Sequence, residues 1–127
     1  MADKPLAHIL LIEDDTFLAN IYKTKFEMEG FKVTHADNGE TGYEGAGKFS
    51  PDIILLDILL PKMDGFAVLK KLKEDDAVKD IPVILLTNLG QKDDVEKGLE
   101  LGAVDYLIKA HFKPSETVSK VKKILGI

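Results

Sequence analysis

The chain has 127 residues, 45% apolar and 31% charged, with a net charge of −5. That is the size and balance of one globular domain with a real core, and the acidic excess argues against non-specific nucleic-acid binding, which needs a basic surface. The lack of cysteine excludes disulfides, zinc–thiolate sites and thiol catalysis. With no membrane-length apolar segment and no signal-peptide pattern at the start, a cytoplasmic protein without membrane insertion is expected.

In chain order, the apolar runs His8–Ile12, Phe31–His35, Asp52–Leu56, Pro82–Leu86 and Asp105–Ile108 predict strands. The first, third and fourth are near-continuous aliphatic runs, as expected of strands buried on both faces. The second is mixed and belongs nearer an edge. Between them lie amphipathic helical stretches. Asp15–Gly30 carries Phe17, Leu18, Ile21, Tyr22 and Phe26 at helical spacing and ends on glycine. Asn38–Lys48 opens with a capping residue but contains three internal glycines, which makes it the weakest helix by propensity. Asp64–Lys73, Gln91–Leu101 and Pro114–Leu125 follow, the last with proline in its first turn. Five such βα units predict an α/β fold, a doubly wound, five-stranded parallel sheet with helices on both faces. One domain over residues 1–127, with no separate output domain, is the expectation.

Function in open parallel sheets sits at the carboxyl ends of the strands. There the sequence places Glu13, Asp14 and Asp15 after the first strand, Asp57 after the third, Thr87 and Asn88 after the fourth, and Lys109 after the fifth. Asp57 is therefore expected to leave the sheet into a polar cluster rather than to be buried in it. Asp15, just before Thr16 and Phe17, reads as a helix cap. Clustered carboxylates need a cation, and hard oxygen ligands without His or Cys favour Mg2+. A lysine and a hydroxyl beside that ion suit the oxygens of a phosphoryl group.

The segments "ILLIEDD" (9–15), "DIILLDILLPKMDGF" (52–66), "PVILLTN" (82–88) and "GAVDYLIK" (102–109) resemble the receiver domain of two-component response regulators, the CheY-like fold, in its order and spacing over nearly the whole chain. The resemblance implies strand order 2-1-3-4-5. It implies that Asp57 is the phosphoacceptor, attacking a phosphohistidine on a sensor histidine kinase or phosphotransfer protein. It also implies that Asp14, Asp57 and the backbone carbonyl of Leu59 ligate Mg2+, with Glu13 acting largely through water. Lys109 would pair with the phosphoryl oxygens, and Thr87 and Tyr106 would move together as the switch. The output would be an unidentified downstream protein, bound through the face of the fourth helix, fifth strand and fifth helix, or a phosphoryl relay.

Four positions depart from the family pattern or tune it. Ala110 follows Lys109 where the family usually has proline, Asn88 stands where a small residue is usual, and Leu59 and Leu89 are the neighbours that influence aspartyl-phosphate hydrolysis. Both leucines are apolar and cannot orient a water, so a long-lived phosphoryl state is expected, with Leu89→Glu as the probe. Rival readings are weaker. "GYEGAGKF", Gly42 to Phe49, lacks the hydroxyl of a phosphate loop. A haloacid-dehalogenase-type phosphatase needs an acid where Leu59 stands. A degenerate receiver that binds partners without phosphorylation is the main alternative. His8, His35 and His111 form no ligand-spaced pair; the first two are expected to pack near strand ends.

Overall fold

Each aliphatic run becomes a strand because its side chains have two cores to enter. The computed structural model describes residues 4–61, 63–87, 92–109 and 113–127, with Pro114 described by its backbone alone. Among them, the elements run β1 (His8–Ile12), α1 (Thr16–Met28), β2 (Lys32–Ala36), α2 (Gly39–Phe49), β3 (Ile53–Asp57), α3 (Gly65–Glu74), β4 (Val83–Thr87), α4 (Lys92–Glu100), β5 (Asp105–Ile108) and α5 (Pro114–Leu125). The strands are parallel, in the order β2-β1-β3-β4-β5. Successive side chains alternate across the sheet. Ile9, Leu11, Ile53, Leu55, Ile84 and Leu86 pack under α1 and α5, against Tyr22, Phe26, Val118 and Val121. Leu10, Ile12, Ile54, Leu56, Val83 and Leu85 pack on the other face, against Ala46, Val68, Leu69 and Leu72. The mixed run is β2, at an edge, as its composition implies.

The helices start where capping side chains allow. Asp15, Asn38 and Asp64 accept from the main-chain N–H groups of Leu18, Thr41 and Ala67 at 3.1, 2.9 and 2.9 Å. The Asp15 cap is therefore seen as expected. In α2 Gly42 and Gly45 face β1, and a Cβ at Gly42 would fall 2.5 Å from Ile12 Cδ1. What weakens the helix by propensity lets it lie close on β1. The phosphate-loop-like stretch from Gly42 to Phe49 is contained in this helix, whose N–H groups are spent on the helix itself, so it cannot cradle a phosphate.

β2, β3 and β4 each sit one residue later than expected. For β3 and β4 this carries Asp57 and Thr87 inside the strands, as their last residues. Pro82 has no N–H to offer a ladder, and its carbonyl accepts from Ile54 N at 2.9 Å just before β4 begins. At the other end Asp57 pairs with Leu86 and Thr87 with Ile108, and Ile58 N still reaches Leu86 O at 3.1 Å. Neighbouring strands thus keep the polar residues in register.

Candidate functional site

β1 and β3 are adjacent, so the acids that end them meet. Glu13, Asp14 and Asp57 each present a carboxylate oxygen within 4.8 Å of the others. Lys109 follows β5 and reaches back past the end of β4. Its Nζ lies 2.7 Å from Asp57 Oδ2 and 2.8 Å from Glu13 Oε1. Whatever the backbone does after Lys109, the ammonium attains the site. Asp57 is 2% exposed and Glu13 fully buried. The expectation that Asp57 leaves the sheet is corrected. It is the last residue of a fully buried strand, and the polar surroundings come to it from β1 and β5. Lys109 makes that burial tolerable, since an ionised carboxylate is seldom buried unpaired.

The loop after β3 is shaped around this aspartate. Leu59 N donates to Asp57 Oδ1 at 3.0 Å, while Lys109 holds Oδ2. Gly65 N donates to Ile58 O at 2.8 Å. A Cβ on Gly65 would lie 2.3 Å from Asp57 O and 2.6 Å from Ile58 Cα, so only glycine lets α3 begin this close to the strand end.

The charges do not balance. Burial first, then the hydrogen bond with Asp57, raises the Glu13 pKa to about 8 against the opposing pull of Lys109. Burial alone would lower Lys109, but Asp57 and Glu13 outweigh it and hold the ammonium charged. Lys109 Nζ is at ion-pair distance from Glu13 Oε1, yet that buried oxygen has no hydrogen bond of acceptable geometry. Excess negative charge, an all-oxygen donor set and a poorly satisfied buried carboxylate oxygen together fit a hard divalent cation.

Thr87 is buried at the end of β4, beside this cluster in the sheet. Tyr106 is half-buried on β5 and packs partly against the core face of α2 and α3. Lys120 of α5 stands 5.6 Å from its ring and donates to its carbonyl oxygen at 3.1 Å. Leu59, whose N–H holds Asp57 Oδ1, is 59% exposed and presents an apolar side chain to solvent. Asn88, Leu89, Ala110 and His111 lie outside the described residues, and with them the Lys109–Ala110 peptide. Two neighbours of the site were not singled out by the sequence. Burial first, then the Glu13 and Asp57 charges, pushes up the pKa of Tyr22 on α1; helical spacing marked this residue only as core. His35 Nε2 lies 2.6 Å from the Glu13 carbonyl oxygen.

A family model described as the response regulator receiver domain matches residues 9–122. The chain belongs to the response regulator receiver domain family. Over 120 residues this receiver is 40% identical to the DNA-binding dual master transcriptional regulator RpaA of a Synechocystis species, across 94% of this chain and 49% of that protein. It spans about half the length of the curated relatives it matches. Among solved structures, the receiver domain of Francisella response regulator 1452 superposes with a TM-score of 0.87 at 31% identity, covering 94% of this chain and 97% of that one. The receiver domain of the sensor histidine kinase PA1611 of Pseudomonas aeruginosa also gives 0.87, at 28% identity over 95% and 98% of the two chains. Its crystal structure has a magnesium ion coordinated in the active-site cleft. The receiver is thus a two-component signalling domain with its acidic cluster at the expected phosphorylation site. No helix among the described residues is long and apolar enough to cross a membrane.

Proposed function

We propose that Asp57 accepts a phosphoryl group from a phosphohistidine on a sensor histidine kinase or phosphotransfer protein. The carboxylate attacks phosphorus, the P–N bond breaks, an acyl phosphate forms, and the released imidazole takes a proton from solvent. An aspartate is a weak nucleophile, so alignment and charge neutralisation must lower the barrier. Asp14, Asp57 and the Leu59 carbonyl would hold Mg2+ directly, and Glu13 would act largely through water. When bound, the ion supplies positive charge to the crowded anionic oxygens. Lys109 turns from the Asp57 carboxylate to the phosphoryl oxygens. The Thr87 hydroxyl donates to the same group, and Tyr106 moves inward behind it. The added charge and acceptors are thereby reported to β5, α5 and α4, the face that binds a partner or prepares a phosphoryl relay. Residues 1–127 act as one receiver unit in this reading. The apolar side chains of Leu59 and Leu89 leave the acyl phosphate long-lived.

The observation that carries this reading is the meeting of three acids within 4.8 Å, with a lysine 2.7 Å from the one that ends β3. Intact-protein mass after incubation with Mg2+ and phosphoramidate, a small donor with a P–N bond, tests it. One phosphoryl group should be added to the wild type, and none to Asp57→Asn or when metal is chelated. Failure to form the adduct and to bind beryllofluoride would favour a module that binds partners without phosphorylation.

A further inference from the structure

We propose that His35 is a positioning residue for the acidic cluster: its imidazole pins the Glu13–Asp14 peptide and thereby aims both carboxylates. This rests on the reading of Glu13, Asp14 and Asp57 as the Mg2+ site.

Glu13 and Asp14 lie beyond the end of β1, where the regular ladder stops. The last paired residues of β1 and β2 are Ile12 and Ala36. One further main-chain bond, Glu13 N to Ala36 O at 3.0 Å, ties the amide side of Glu13 to β2. A continued strand would also hold the Glu13 carbonyl through a later main-chain N–H. β2 ends at Ala36, and the chain turns to Asn38, which caps α2. The donor at that carbonyl is instead His35 Nε2, at 2.6 Å. A carbonyl oxygen only accepts, so Nε2 must carry the proton.

The Glu13 carbonyl belongs to the peptide unit that joins the two acids. Rotation of that unit swings the Cα–Cβ directions of Glu13 and Asp14 relative to each other. Leu11 pairs with His35 across the strands, so the imidazole projects from β2 one residue before the end of β1 and reaches forward to the Glu13 carbonyl. This is the arrangement by which outer groups orient metal ligands, where their loss typically costs 10–100-fold in affinity. A purely packing role would ask only for bulk on this edge strand, and a β-branched aliphatic residue would serve.

The test uses His35→Val, which keeps strand preference without a donor, and His35→Gln, whose amide nitrogen reproduces the Nε2 position. Mg2+ titration followed by NMR should show about tenfold weaker binding for His35→Val and near-native binding for His35→Gln. In metal-free protein the Asp14 amide, in the same peptide unit, should exchange faster in His35→Val alone. Equal affinity and exchange in wild type and His35→Val overturns the proposal, as does an equal loss in both variants. If His35→Val does not fold, nitrogen-15 shifts of wild-type His35 at pH 8 decide. The Nε2–H tautomer upholds the pinning and the Nδ1–H tautomer overturns it. A wild type that binds no Mg2+ removes the metal-site reading itself, a result distinct from any difference among the His35 variants.

Discussion

β3 and β5 end at the same edge of the sheet, β3 on Asp57 and β5 just before Lys109, yet they are held by opposite means. β3 is central, bonded to β1 and β4, and all five of its residues are buried. β5 is an edge strand with one neighbour, and all four of its residues are only partly buried. Polar contacts from Lys120 supplement its packing: 3.2 Å to Asp105 Oδ2, 3.1 Å to the Tyr106 carbonyl and 5.6 Å over the Tyr106 ring. Ion pairs this exposed are each worth about 1 kcal/mol or less. β3, which ends on Asp57, is thus fixed by dispersion and ladder bonds, which have no second arrangement. β5, which bears Tyr106 and leads into Lys109, is held by contacts that cost little to break. The proposed switch needs that division, since its chemistry requires alignment and its readout requires a second state.

The comparison can be broken most severely at its one crossing point. Lys109→Met leaves Glu13 and Asp57 buried without their cation and should cost about 3 kcal/mol in the absence of metal. Urea melts should recover most of that with Mg2+, because the ion neutralises the same oxygens. Next, Gly65→Ala puts a methyl group into the main chain of Asp57 and Ile58. Overpacking against atoms that cannot move should cost about 2–3 kcal/mol, and should slow phosphorylation by displacing the strand end. Mg2+ should not rescue it.

A third expectation concerns pH. The folded-state Glu13 pKa, raised to about 8, exceeds the ordinary carboxylate value, so the folded state binds a proton more tightly than the unfolded chain. Metal-free stability should therefore fall as pH rises from the ordinary carboxylate range through about 8. Glu13→Gln should flatten that slope, as a set of urea melts across pH would show. The smallest effect belongs to the edge. Lys120→Met should cost about 0.5–1 kcal/mol in stability, leave the phosphoryl adduct on Asp57 intact, and alter only how far β5 and α5 respond.

Element order, the edge position of β2, the caps and the meeting of Glu13, Asp14, Asp57 and Lys109 were legible because each rests on local chemistry. Aliphatic runs, Asp15, Asn38 and Asp64 at helix starts, and acids at strand ends all speak through their own side chains. Strand ends were not. A polar residue after an aliphatic run reads as an exit, but Asp57 and Thr87 are kept in the sheet by partners far along the chain, Leu86 and Ile108. The glycines of α2 read as weakness, because a single helix does not disclose how close the sheet beneath it lies. His35 was hidden for a related reason. Its partner is a main-chain carbonyl on another strand, and no side-chain pattern marks a carbonyl.

The most direct test of a fixed nucleophile beside a movable readout is amide hydrogen exchange with and without Mg2+ and beryllofluoride, with fluorine-19 NMR confirming the bound ligand. The account predicts unchanged exchange through Ile53–Asp57, with altered protection concentrated in Asp105–Ile108 and along α5. Changes spread equally over β3 and β5, or none in β5 and α5 with the ligand bound, would contradict it.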